Sequence, residues 1–84
     1  MQAKIYITLK KTVADPQGLV IKHALESLGY QKMIKDVRIG KLVTMELDIK
    51  DIKKAKEKVD QMCKKLLANP IIEDYKFQIK EIKK

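Results

Sequence analysis

The sequence predicts a two-layer α+β sandwich, an antiparallel sheet covered on one face by two helices. Three observations lead there. Apolar residues alternate with period two near the start, in the middle and near the end of the chain. Between those stretches lie two runs with helical spacing. Each helical run follows an aspartate suited to cap it, Asp15 and Asp51. Two amphipathic helices need an apolar sheet face to cover, and the sandwich supplies one.

Ala3 to Lys10 is the first expected strand, with Ile5, Ile7 and Leu9 on one face and Tyr6 and Thr8 on the other. Lys10 to Ala14 connects it to a helix. Asp15 is the N-cap, and Pro16 falls at the first helical position, where its missing N–H costs nothing. Gly18 is out of place in a first turn, since glycine there costs up to about 1 kcal/mol relative to alanine. It marks either the close approach of another group or a tolerant helix end. Ile21, Ala24, Leu25 and Leu28 form the apolar stripe, and Gly29 is placed to end the helix in the left-handed conformation. Tyr30 to Lys35 leads onward. After the middle stretch, Asp51 caps a second helix whose stripe is Ile52, Ala55, Val59, Met62, Cys63, Leu66 and Leu67. Asn69-Pro70 stops it. A last strand runs from about Ile71 to Ile82, with Tyr75, Phe77 and Ile79 alternating, before Lys83-Lys84.

The middle stretch, Asp36 to Ile49, bears most on architecture. Val37, Ile39, Val43, Met45, Leu47 and Ile49 are odd-numbered and apolar, and only Lys41 interrupts them. As one strand the run would extend about 45 Å, long beside the usual five or six residues. Two geometries keep the odd residues on one face. A hairpin with a three-residue loop at Gly40-Lys41-Leu42 sets Ile39 opposite Val43. A single through-going strand leaves one core and enters the next. The absence of Asn-Gly or Asp-Gly favours the second. The expected order is βαββαβ, a ferredoxin-like sandwich in one domain spanning residues 1–84. The through-going version makes an intertwined, segment-swapped dimer.

A chain of 84 residues buries a modest fraction of its surface, so a second copy or a partner subunit is a natural source of stability. The apolar runs are too short to cross a membrane. Met1-Gln2-Ala3-Lys4 leads directly into a strand pattern without a secretory apolar core, which fits a cytoplasmic protein. The net charge of +8 raises the question of nucleic acid. Of the 19 basic residues 18 are lysine, and Arg38 is the sole arginine. Lysine is a solvated point charge and a poor bidentate reader of phosphate and base edges, so the charge reads more readily as solubility. Aromatics make up 5% of the chain, Tyr6, Tyr30, Tyr75 and Phe77, and form no base-stacking string. A freestanding basic nucleic-acid-binding domain is therefore the secondary reading. A small-ligand regulatory domain is a third.

Reactive groups do not converge in the sequence. His23 is the only histidine and lies off the main helical stripe. Ser27 is the only serine and has no second histidine to activate it. Cys63 occupies the apolar stripe of the second helix, as a buried, inert thiol does, and it excludes any internal disulfide. Glu73 and Asp74 are strand neighbours whose side chains point to opposite faces. Gly18, Gly29 and Gly40 are too far apart for a phosphate-binding loop, and no metal-ligand spacing occurs. The expectation is a chain with no catalytic, cofactor-binding or metal-binding residues of its own.

Three separated motifs carry a resemblance. They are Asp15-Pro16-Gln17-Gly18 with His23-Ala24-Leu25 and Gly29-Tyr30; Asp36-Val37-Arg38-Ile39-Gly40-Lys41; and Leu66-Leu67-Ala68-Asn69-Pro70-Ile71-Ile72-Glu73-Asp74-Tyr75. In order and spacing the chain resembles the family of small PurS subunits of phosphoribosylformylglycinamidine synthase. The resemblance implies a complex of purine biosynthesis that consumes ATP and glutamine. A large subunit performs the amidation, with Mg and ATP, and a glutaminase subunit releases ammonia. It implies a non-catalytic small subunit that forms dimers, or tetramers, and holds the other two together. Asp15, Pro16, Gln17, Gly18, His23, Arg38, Gly40, Lys41 and Asn69 are the expected partner interface. No nucleic acid or membrane partner is expected.

Overall fold

The computed structural model describes residues 1–81. Strands β1 (Gln2–Leu9), β2 (Gly40–Glu46) and β3 (Glu73–Lys80) form one antiparallel sheet in the order β2-β1-β3. Helices α1 (Pro16–Leu25) and α2 (Ile52–Met62) each run on into a wider π turn, Glu26–Tyr30 and Cys63–Leu67. The two-layer, ferredoxin-like α+β arrangement is the one the sequence predicts.

The register explains the core. On β1, Ala3 lies between Met45 and Ile79, and Ile5 between Val43 and Phe77. The odd residues of all three strands thus share one apolar face. Ala3, Ile5 and Ile7 are buried in its centre, and Val59 of α2 and Cys63 of the π turn after it pack against them; Ala55 of α2 is buried as well. Tyr75 at the β3 edge ties the two layers together. Its hydroxyl donates to Asp60 Oδ1 of α2, and Lys64 Nζ sits 3.0 Å from Asp60 Oδ2.

Local chemistry sets the ends. Asp15 caps α1 by accepting from the Gly18 N–H at 2.9 Å, and Asp51 caps α2 by accepting from the Lys53 N–H at 2.9 Å. Gly29 has φ of +103°, the left-handed conformation expected of it, and closes the π turn after α1. The π turn after α2 ends where the Ala68 N–H donates to the Cys63 carbonyl, five residues back. β3 begins at Glu73, two residues later than expected. Asn69 holds Ile71 and Ile72 in a turn, its side-chain oxygen accepting from the Ile71 N–H and its carbonyl from the Ile72 and Glu73 N–H groups. Ile82, Lys83 and Lys84 lie outside the described residues.

The middle stretch departs from the four-strand count. Gly40, Lys41 and Leu42 pair with Thr8, Ile7 and Tyr6 of β1, so no hairpin turns there. One strand replaces two, and the order within a chain is βαβαβ. The physical reason is pairing: a hairpin loop needs residues 40–42 free of the sheet, and β1 has captured all three. Asp36–Ile39, the other half of the expected long strand, join no strand among the described residues.

The second departure concerns α1. Its stripe was expected to cover the sheet, yet among the described residues α1 contributes no side chain to the core. Gly18 is its one buried residue. Leu19, Val20 and Ile21 are 52%, 69% and 40% exposed. The helix stands away from its own sheet, and the radius of gyration is 16.5 Å, against about 12 Å for a compact domain of this length. A lone copy is an opened-out structure.

Two expectations follow from the packing. Ile5→Ala removes a fully buried side chain from the middle strand and should cost about 2–5 kcal/mol in urea unfolding. Leu66→Ala, at an 83% exposed position, should stay within about 0.5 kcal/mol of the parent. The hydrogen bond to Asp60 pushes the Tyr75 hydroxyl up to about 12. A folded value above the unfolded one of about 10 means that the protonated phenol, donating to the Asp60 carboxylate, stabilises the fold fully at pH values well below 10. That contribution is lost as pH rises through 12. A spectrophotometric titration should show a phenol ionising near pH 12, and Tyr75→Phe should abolish that step.

Candidate functional site

The N-terminal turn of α1 meets the segment before β2, and most of the expected interface residues gather at that junction. Asp15 is buried, 9% exposed. One carboxylate oxygen accepts from the Gly18 N–H, and the other accepts from the Ile39 N–H at 2.7 Å. These two donors, with a smaller contribution from the Arg38 guanidinium, hold the Asp15 carboxyl below its ordinary range. Arg38 donates to the Lys10 carbonyl at 2.9 Å and to the Val13 carbonyl at 2.7 Å. The loop entering α1 and the segment leaving it are therefore fastened to each other.

Gly18 answers one of the two readings left open for it. A Cβ at this position would lie 2.1 Å from the Val37 carbonyl oxygen. Backbone closes on backbone there, and no side chain other than hydrogen fits. Gly18 is buried against its own chain, so its immediate neighbours are Val37 and Asp15.

Around this junction the surface is apolar. Pro16, Gln17, Val20, Ile21 and Ile39 line an open groove of about 570 Å³. On the adjoining side Asp15, Gln17, Gly40, Lys41 and Glu73 border a hollow of about 310 Å³. Lys41 Nζ lies 3.8 Å from Glu73 Oε2, and Glu73 Oε1 accepts from the Asn69 N–H at 2.7 Å. Eight of the nine expected residues thus gather in one region: Asp15, Pro16, Gln17, Arg38, Gly40 and Lys41 line its adjoining hollows, Gly18 lies beneath them hydrogen-bonded to Asp15, and Asn69 joins through Glu73. His23 stands apart, exposed farther along α1, with its carbonyl accepting from the Ser27 hydroxyl.

Leu19 and Val20, outside the stripe read from the sequence, are the apolar residues that reading missed. Their signal was present: Leu19, Val20 and Ile21 in succession make α1 apolar on more than one side, as a helix with two coverings would be.

Cys63, Ser27, Glu73 and Asp74 are otherwise engaged. Cys63 is fully buried, and burial together with nearby Asp60 pushes its thiol up, away from the reactive thiolate. Glu73 faces Lys41, while Asp74 faces Lys10 at 3.9 Å. Among the described residues no three His, Cys, Asp or Glu side chains converge as a metal site would. No helix among them is long and apolar enough to cross a membrane. What this region offers is shape and apolar surface.

A family model described as PurS, phosphoribosylformylglycinamidine (FGAM) synthase, matches residues 2–81. The phosphoribosylformylglycinamidine synthase subunit PurS of Bacillus subtilis is 42% identical over 81 residues, spanning 96% of this chain and 94% of that protein. The Methanocaldococcus jannaschii subunit is 41% identical, spanning 96% of each. The crystal structure of M. jannaschii PurS superposes with a TM-score of 0.86 at 40% identity, covering 98% of both chains. A chain in the structure of PurLQS from Thermotoga maritima superposes with a TM-score of 0.76 at 30% identity, covering 93% of this chain and 96% of that one. By sequence along nearly its whole length and by fold, the chain belongs to the PurS family of FGAM synthase subunits.

Proposed function

We propose that this chain is the non-catalytic assembly subunit of a phosphoribosylformylglycinamidine synthase. It works in the cytoplasm as an intertwined dimer and bridges a large synthetase subunit and a glutaminase subunit. The complex converts formylglycinamide ribonucleotide to formylglycinamidine ribonucleotide with ATP, Mg and glutamine, all handled by the partners. Ammonia freed from glutamine must reach the synthetase site without escaping to water, so two active sites must be held in register. Positioning of that kind contributes to rate without any reactive side chain.

One observation carries the dimeric part of the reading: α1 presents Leu19, Val20 and Ile21 to solvent while, among the described residues, its own sheet is covered by α2 and its π turn alone. The half-buried residues Val43, Met45 and Leu47 border the core on the β2 side. The helix lacks a sheet and the sheet lacks a second helix. A second copy related by a two-fold axis supplies both needs at once. Asp36–Ile39, continuous with edge strand β2, then travel into the second copy along with α1.

Mixed with the large and glutaminase subunits, the protein should co-elute as one complex in the presence of glutamine and Mg-ADP. A chain that elutes alone under every condition would refute the bridging role. By itself it should run as a dimer of twice 9.7 kDa. Val20→Glu, which places a carboxylate in the apolar contact, should weaken that dimer about 100-fold, or about 3 kcal/mol. Sedimentation equilibrium reads both.

A further inference from the structure

We infer that Asp15, Gly18, Val37 and Arg38 form a latch that holds α1 off its own sheet, so that the helix covers a second copy instead of folding back. The inference rests on the dimer proposed above and adds what selects it. A self-closed monomer and an exchanged dimer bury the same surfaces, and the monomer keeps the freedom that association removes. The choice is therefore made where the chain passes from sheet to helix and back. α1 is joined to the sheet by two crossings, residues 10–15 on entry and 31–39 on exit.

Folding back over its own sheet would require the two crossings to part and the exit segment to turn before β2. Four contacts oppose this. Arg38, on the exit segment, grips the Lys10 and Val13 carbonyls of the entry loop. Asp15 joins the first turn of α1 to the Ile39 N–H just ahead of β2. The Val37 carbonyl fills the space where Gly18 has no Cβ. Gly40 adds a limit on the sheet side, since a Cβ there would lie 3.0 Å from the Ile7 carbonyl oxygen. The junction is thereby a short rigid splice, with the helix projecting from it.

The decisive variant is Asp15→Asn. An asparagine remains a good N-cap and can still accept from the Gly18 N–H, but its amide nitrogen cannot accept from Ile39. Folding is preserved while one tie of the latch is cut. Gly18→Ala is the stronger companion. The measurements are dimer dissociation by sedimentation, helix content by circular dichroism, and radius of gyration by small-angle scattering on dilute samples. The expected result is a wild-type dimer, with Asp15→Asn raising the dissociation constant at least tenfold at unchanged helix content. Its monomer should be compact, near 12 Å and well below the 16.5 Å of the open copy. A wild type that is monomeric at all concentrations would overturn the dimer itself. A wild-type dimer with an unchanged constant in Asp15→Asn would overturn the latch alone. So would a weakened dimer whose monomer keeps the open dimensions, since α1 would not have folded back.

Discussion

Asp15 uses both oxygens of one carboxylate, and the rest of the architecture turns on that division. One oxygen starts a helix by accepting from Gly18, and the other accepts from Ile39, 24 residues farther on. A neutral cap would serve the first purpose as well. Reaching the second donor fixes the helix relative to the strand that follows it. Close approach of the Val37 carbonyl demands that residue 18 carry no side chain. One short motif thus couples helix initiation, backbone packing and the direction in which a ten-residue helix projects.

The consequence appears in the distribution of apolar surface. The sheet and α2 form a small core around Ile5, Ile7, Val59 and Cys63. By itself it is a thin layer, 14 Å across the shortest dimension of the chain. Small domains are marginal because too little of their surface is buried. Here part of the apolar surface is not even directed inward: Leu19, Val20 and Leu28 face solvent. Exposed apolar patches on soluble proteins mark contact with other molecules. In the proposed assembly this surface is the material of the interface, and the modest core of one copy is half of a larger one.

Much of this was legible in the sequence because local rules and tertiary structure agree. The caps at Asp15 and Asp51, the left-handed Gly29 and the alternation of β1 and β3 appear where elementary patterns put them, whereas the second helical stripe is buried only in part: Ala55, Val59 and Cys63 are covered, and Ile52, Met62 and Leu66 are exposed. The middle stretch was ambiguous for a physical reason. Period two says which residues share a face, and a hairpin and a straight run satisfy it equally. What decides is pairing with β1 at Gly40–Leu42, a long-range fact that no window of the middle stretch contains. The destination of α1 was hidden for a similar reason. An apolar stripe states that a helix will be covered without stating by which copy. The site was partly visible: Asp15 could be picked out as a cap, Gly18 as a glycine out of place in a first turn and Arg38 as the sole arginine. Their joint role depends on the Val37 and Val13 carbonyls, backbone groups that carry no signature in the side-chain alphabet.

The chemistry of the groups argues for geometry in preference to reactivity. The most strongly shifted hydroxyl, that of Tyr75, is raised by a hydrogen bond to Asp60 that joins α2 to β3. The buried thiol of Cys63 is raised by the same packing. Catalytic groups are tuned toward the working pH so that they can exchange protons there. These shifts run away from it and leave tyrosine and cysteine protonated and quiet. The carboxylates of Asp15 and Glu73 are likewise committed, to backbone donors and, for Glu73, to Lys41. A chain arranged in this way spends its polar groups on fixing directions and keeps its apolar groups for contact. That is the physical profile of a subunit whose contribution to a reaction is to hold others at the right distance.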